Sequence, residues 1–542
     1  MIFRLQKLQK LQKLQKLDAF VKRTLASTYA IDPRSLFLAR VAIGILVLVD
    51  VESRVGYFNN FLEIHAFYGP QGFWPRKWAM ESMQSRSYVP FYGINSITSF
   101  KLIFAIQAFA AICFALGLWT KPCNAMLFYI LNSAMRRSPH INSAGDMLLK
   151  MSLFWLLFAP QIPCSVDHGT LTPRHLRALF TTNQKPILSA ATVALNAQPG
   201  IVYLASALHK SRTAYVDEAY AVSAVLRMEH FTMNAPWATF VANSAPPAIL
   251  ALLARITILV EIAAGAAIAV PAPHMNGLRT TAHVALCTLQ LGFWAHLRLG
   301  IFQPIMLVYH AACLPPALWH RATSTHPRKK INRHAPSPLI HKLTAIATEV
   351  TALAFLTLVV VSNVNTMRPP QTDAMLTSAQ SGRLLDPAGL YSHIEQLVGT
   401  RQIWNMFTFL DRESQTTGRH VWTGTLTDGT RVNLLKMTEH TTSHQEAAPW
   451  DYQTWRRAFP FMRYRSRKHL HRLMHTKDPA EIELFAEWLC YRYNRLRFRL
   501  RGNPSSMASL SMHRIVYDSV ALNSTKNNTR TQIMIRNLKC RR

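Results

Sequence analysis

The sequence predicts a polytopic α-helical membrane protein of about eight or nine spans, followed by a C-terminal α+β extramembrane domain. Of 542 residues, 49% are hydrophobic and 16% charged, and the two classes are unevenly placed. Residues 35–363 consist of long apolar runs, whereas 364–542 is as charged as an ordinary soluble domain. A run such as Ala248–Pro271, in which only Arg255 and Glu261 are charged, lacks a polar face and is long enough to cross hydrocarbon. The cations between the runs then fall in a pattern that fits alternate crossing.

The basic segment 1–34 comes first. From Leu5 to Leu17 it repeats Leu-Gln-Lys, a period of three that winds the leucines around a helix and leaves no clean apolar face. No apolar stretch comes before Ser35, so no cleavable signal peptide is expected. The transmembrane domain, 35–363, contains the runs Ser35–Val51, Lys101–Trp119, Cys123–Ala134, Asp146–Pro160, Pro186–His209, Pro246–Pro271, Thr280–His296, Leu299–Leu318 and Ile340–Ser362. The third and fourth are short for a span, which favours tilt or partial re-entry.

Cations fix the orientation. Arg4, Lys7, Lys10, Lys13, Lys16, Lys22, Arg23 and Arg34 precede the first run, and Arg321, Arg328, Lys329, Lys330, Arg333 and Lys342 lie before the last. Both clusters are expected in the cytoplasm, and the eight runs between them supply the even number of crossings this requires. The tail, with the connections 52–100 and 210–245, is then lumenal, periplasmic or extracellular. Arg136 and Arg137 fall on that side against the rule, but a short loop carries little weight.

Residues 364–520 read as a small folded domain. His420–Leu426 and Thr430–Lys436 flank Asp428-Gly429, a strong hairpin signal, and Ser509–Tyr517 is a further strand. Pro479–Asn494 reads as an amphipathic helix capped by Asp478. Trp404-Asn405-Met406-Phe407 is an aromatic patch expected to seat this domain on the membrane or on the helices. Residues 521–542 are polar and basic and are expected to be disordered.

Composition also excludes function classes. The net charge of +33 would point to nucleic acid in a soluble chain, but the cations are scattered, with no aromatic-basic platform, and a phospholipid surface accounts for them. The expected partner is the lipid bilayer and not nucleic acid. The seven cysteines form no CxxC pair and most lie in apolar runs, so neither a metal site nor a disulfide framework is expected. No hydrolytic triad order, HExxH, phosphate loop or dinucleotide fingerprint is present.

Ionisable side chains inside spans are costly, so they mark pairing or function. Arg40, Asp50, Asp146, Lys150, Lys210, Arg255, Glu261, His283, His296, His310 and Glu349 are of this kind, with Arg40, Glu261, His310 and Glu349 the deepest. Glu261 is expected to be protonated or paired with a basic group, in a packing role. Lys210 ends an apolar segment before Tyr215 and Asp217; in a poorly hydrated site it would serve as a general base, and a lysine snorkelling to the interface would give the same sequence. His209 points about 100° away on a helix.

The run from Asp32-Pro33-Arg34-Ser35 through Arg40 to Gly44 and Asp50 resembles the opening of the horizontally transferred transmembrane (HTTM) domain family, related to vitamin K-dependent gamma-carboxylase. Asn142-Ser143-Ala144-Gly145-Asp146 to Lys150, Tyr203–Lys210 with Tyr215-Val216-Asp217, and Trp404–Phe407 followed by Gly424 to Gly429 are similar to the same family, which covers about residues 30–520. The resemblance implies that a lysine, here Lys210, deprotonates reduced vitamin K or another quinone. Reaction of that hydroquinone with O2 then gives an epoxide and a strong base, which takes a γ-proton from a glutamate of a protein or peptide substrate so that CO2 adds; no metal takes part. The animal enzymes carry Lys-Lys where this chain has His209-Lys210, and tryptophan where it has Tyr215. Their further histidine falls on Asn142, with His140 two residues earlier, so Lys210, Asn142 and His140 are the implied catalytic residues. The other reading of the same scaffold is a non-enzymatic membrane protein that binds lipid or a protein partner.

Overall fold

A computed structural model describes residues 19–61, 97–137, 141–160, 184–210, 212–227, 244–271, 275–316 and 339–366, five strand segments between 416 and 539, and scattered residues including 398–400, 402, 404 and 490. The chain is mostly helical. Its principal helices are α1 (Pro33–Phe61), α2 (Ile97–Leu116), α3 (Thr120–Arg137), α4 (Ala144–Phe158), α5 (Ala190–His209), α6 (Ala221–Arg227), α7 (Pro247–Ala269), α8 (Asn276–His296), α9 (Phe302–Ala312) and α10 (Leu339–Thr366). Each of the nine apolar runs holds one of them.

Among the described residues three helices are long and apolar enough to cross a membrane: α2 over Thr98–Leu116, α7 over Pro247–Ala269 and α10 over Leu343–Val364. Their side chains are arranged opposite to those of a soluble helix. On α7 the small or polar residues Ala254, Thr257, Glu261, Ala264 and Gly265 face inward, while Ile249, Leu252, Ile256, Leu259 and Ile262 are exposed. Such a face is stable against lipid tails and not against water. Small inward residues also let backbones approach closely: a Cβ on Gly200 of α5 would lie 2.9 Å from the Gly265 carbonyl of α7.

Polar contacts fix how the helices run. Asp32 caps α1, accepting from the Arg34 amide at 2.9 Å and from its guanidinium at 2.8 Å. The far end of α1 meets the start of α4, where Arg54 bonds Asp50 at 2.8 Å and Asp146 at 3.5 Å, all three fully buried. Asp146 also closes a capping box with Ser143. The start of α5 rests on α10, whose Glu349 accepts from the Ala190 amide at 2.7 Å, and α5 and α7 run antiparallel, with Gly200 near Gly265 and Ala269 and Lys210 on Glu261.

The helix in the run Leu299–Leu318 is shorter than expected. Gly300, at φ 68°, turns the chain immediately before α9, and after its 11 residues Cys313 and Pro315 end it. That helix is about 16 Å long, too short to span alone.

In the tail, β1 (Thr416–Leu426) pairs antiparallel with β2 (Arg431–Asn433), with Thr425 opposite Arg431; the Asp428-Gly429 turn expected between them lies outside the described residues. With β3 (Thr438–Glu439), β4 (Met507–Asp518) and β5 (Thr531–Lys539) these form a sheet of order β3-β2-β1-β4-β5. Two expectations are corrected here. The segment 521–542, expected to be disordered, contains β5, because the alternating Thr531–Lys539 stretch can pair with the β4 edge. Cys490 is disulfide-bonded although no disulfide framework was expected: spacing in sequence does not reveal a pairing made by the fold. The Leu-Gln-Lys repeat, and the helix expected over Pro479–Asn494 apart from Cys490, lie outside the described residues.

Trp404 is seated on the helices. It is buried, and its indole donates to Gln402 Oε1 at 3.0 Å; Gln402 in turn accepts from Gln198 of α5 at 2.7 Å. Upstream, Val398 accepts from Asn132 of α3 at 3.4 Å, and Gly399, at φ 87°, turns against that same side chain where a Cβ would collide.

Candidate functional site

Lys210 owes its position to the way α5 ends. Ser189 and Thr192 form a capping box at the start, and after His209 the backbone leaves the helix, with Lys210 at φ −72° and ψ 139°. One π-helical turn, Thr213–Asp217, follows. Arg255 of α7 holds this turn, donating to the Val216 carbonyl at 2.9 Å and the Asp217 carbonyl at 3.3 Å. The turn places the buried Tyr215 ring 5.1 Å from Lys210 Nζ.

Lys210 does not snorkel. It is 8% exposed, and its ammonium makes a salt bridge and hydrogen bond to Glu261 Oε2 in the middle of α7. Glu261 is therefore paired with a basic group, and that group is the one the sequence singles out as a base. A buried pair of this kind depends on both members, because removing either leaves a charge that nothing solvates. His209 is half-buried and does not join the pair.

A second polar cluster lies one to two turns deeper, between α5, α8 and α9. Gln290 Nε2 donates to Tyr203 Oη at 2.8 Å, Tyr203 Oη lies 3.2 Å from His310 Nε2, and His310 Nδ1 lies 3.1 Å from His283 Nδ1. All four residues are buried. The sequence contains a signal for them: Tyr203 and Lys210, His283 and Gln290, and Gln303 and His310 are each seven residues apart, which on a helix is two turns and one face. Taken singly these polar residues do not point to a cluster; only their seven-residue spacing does.

The other predicted residues have separate places. Asn142 donates to the Met135 carbonyl at 2.6 Å, tying the α3–α4 link together, and no described contact joins it to Lys210. His140 lies outside the described residues. Asp50 and Asp146 belong to the Arg54 cluster, Arg40 lies 5.2 Å from the Phe37 ring, and His296 bonds the Gly292 carbonyl of its own helix at 2.9 Å. Among the described residues no three metal-ligating side chains cluster.

The site brings together an amine ion-paired to a carboxylate, beside an aromatic ring and away from bulk water. Comparison of the chain with protein-family models, curated proteins and solved structures finds no match.

Proposed function

We propose that this chain is a membrane enzyme of the HTTM type in which Lys210 acts as a base toward reduced vitamin K or another quinone, coupled to carboxylation of a protein glutamate. The observation that carries the reading is the buried Lys210–Glu261 pair beside Tyr215. These residues suit a hydroquinone: an amine that accepts a hydroxyl proton, a carboxylate that holds the resulting ammonium, and an aromatic face against which a flat ring stacks. A bound hydroquinone supplies the reducing equivalents for reaction with O2. Lys210 takes the proton, Glu261 stabilises its charged form, and the Arg255-pinned turn keeps Tyr215 over the amine.

The same reading takes the nine apolar runs as spans, with the N-terminus cytoplasmic and the tail an α+β domain on the outer side. Supporting it, the end of α1 meets the start of α4 and α5 runs against α7, as alternating crossings require. Disulfide bonding of Cys490 fits an oxidising compartment. A second reading, a non-enzymatic membrane protein binding lipid or a partner, is favoured by the pair itself, since Glu261 occupies the amine that catalysis needs.

Lys210→Arg separates the two, because arginine keeps the charge and cannot give up its proton. With reduced quinone supplied to the purified protein, epoxide forms with the native chain and is lost in Lys210→Arg, which keeps a cation beside Glu261. Near-native epoxide from the arginine variant would rule out the base.

A further inference from the structure

Around the start of α4, the interior shared with α1 and α2 holds polar groups that no described residue satisfies. Lys150 stands one turn after Asp146 on the same face of α4. It is 4% exposed and, among the described residues, forms no ion pair or hydrogen bond. The Asp146 carboxylate is taken up by Arg54 at 3.5 Å and by the Ser143 amide and hydroxyl at 2.6 and 2.8 Å. The charge that acts on Lys150 is the Arg136 guanidinium of α3, which repels an ammonium. Ser152, two residues on, bonds Tyr309 of α9, so Lys150 lies on the other side of α4 from the Tyr203 cluster.

Arg54 and Gln107 add to this interior. Arg54 gives Nε to Asp50 and Nη2 to Asp146, while its Nη1 is buried without a hydrogen-bond partner. On α2, Phe100, Phe104, Gln107, Ala111 and Phe114 form the buried stripe, and both amide atoms of Gln107 are buried without a partner. Arg40 of α1 packs at Gly117, and Gly44 at Ala111 and Ala115, so α1 and α2 run antiparallel. Gln107, one turn further along, is then level with Val47 and Asp50 of α1. Donors on three helices have thus lost their hydration with no partner in exchange, a cost that a bound ion removes. An ammonium without a counterion calls for one negative charge, and guanidinium and amide N–H groups suit two oxygens that share it. The free Gln107 Oε1 calls in addition for a ligand hydrogen.

We propose that Lys150, Arg54 and Gln107 form a bicarbonate-binding site between α1, α2 and α4. Lys150 supplies the charge, Arg54 Nη1 and Gln107 Nε2 donate to the anion's oxygens, and Gln107 Oε1 accepts its hydroxyl hydrogen. The site is separate from Lys210–Glu261 and does not depend on how that pair is read.

The test is equilibrium dialysis of the purified full chain in detergent micelles against radiolabelled bicarbonate at pH 8, in sealed cells, without quinone and with ionic strength held by chloride. The native chain binds bicarbonate saturably. Acetate, which brings no hydroxyl to Gln107 Oε1, competes more weakly, and inorganic phosphate competes least. Lys150→Met weakens bicarbonate binding about tenfold or more, and Gln107→Leu about threefold. Each substitution removes a buried polar group that no described residue satisfies, so without bicarbonate both variants melt no lower than the native chain. The site is overturned by absence of saturable bicarbonate binding to the native chain, or by native affinity in Lys150→Met. Loss of binding together with a thermal midpoint well below the native one makes Lys150 structural and overturns its role as a ligand. Phosphate or acetate binding as tightly as bicarbonate overturns the assignment to bicarbonate.

Discussion

Lys210 leaves the end of α5 and meets Glu261 from the middle of α7, joining residues 51 positions apart in a pair of which neither member is exposed. The two charges are therefore energetically coupled. Lys210→Met or Glu261→Gln alone should each destabilise the folded chain by about 3–5 kcal/mol, and the double variant by clearly less than their sum. Unfolding in mixed micelles measures the cycle; additive losses would show that the pair is not coupled.

The Arg54 cluster makes the same demand more strongly, since one guanidinium serves two buried carboxylates. Arg54→Met should cost about 3–5 kcal/mol or prevent accumulation of the folded chain. Arg54→Met with Asp50→Asn and Asp146→Asn should recover part of that loss, read as yield of monodisperse protein.

Glu349 accepts the Ala190 amide where α5 begins, near the positive end of that helix dipole. Glu349→Gln keeps a hydrogen-bond acceptor and loses the charge, so the expected loss is about 1 kcal/mol. A thermal midpoint equal to that of the native chain would mean that the dipole contributes nothing here.

The α5–α7 crossing leaves no room for side chains at its glycines. Gly200→Leu should separate the helices and cost about 1–3 kcal/mol through overpacking. Because Lys210 and Glu261 depend on the same crossing, the variant should also lose the non-additivity of their double-mutant cycle.

The proposed topology places the tail outside. A cysteine at Ser505 should react with an impermeant maleimide in intact cells, and reaction only after permeabilisation would reverse the orientation.

Where the helices form is legible along the chain: every apolar run holds one. Ends were less legible. The run Leu299–Leu318 holds only Phe302–Ala312 because one glycine and one proline outweigh a continuous apolar composition. In the site, Lys210 stood out as an amine at the end of an apolar helix, and Glu261 as a carboxylate in need of a partner.

By itself, the sequence determined the apolar runs and their helices, because hydropathy and local backbone preference act over a few neighbouring residues. Only the tertiary structure decided that Glu261 is Lys210's partner, that Asn142 turns to Met135, and that Tyr203 meets His310 across 107 positions. Those pairings depend on which helix faces pack together, and packing between these apolar helices follows small residues such as Gly200 and Gly265 whose effect no single helix reveals.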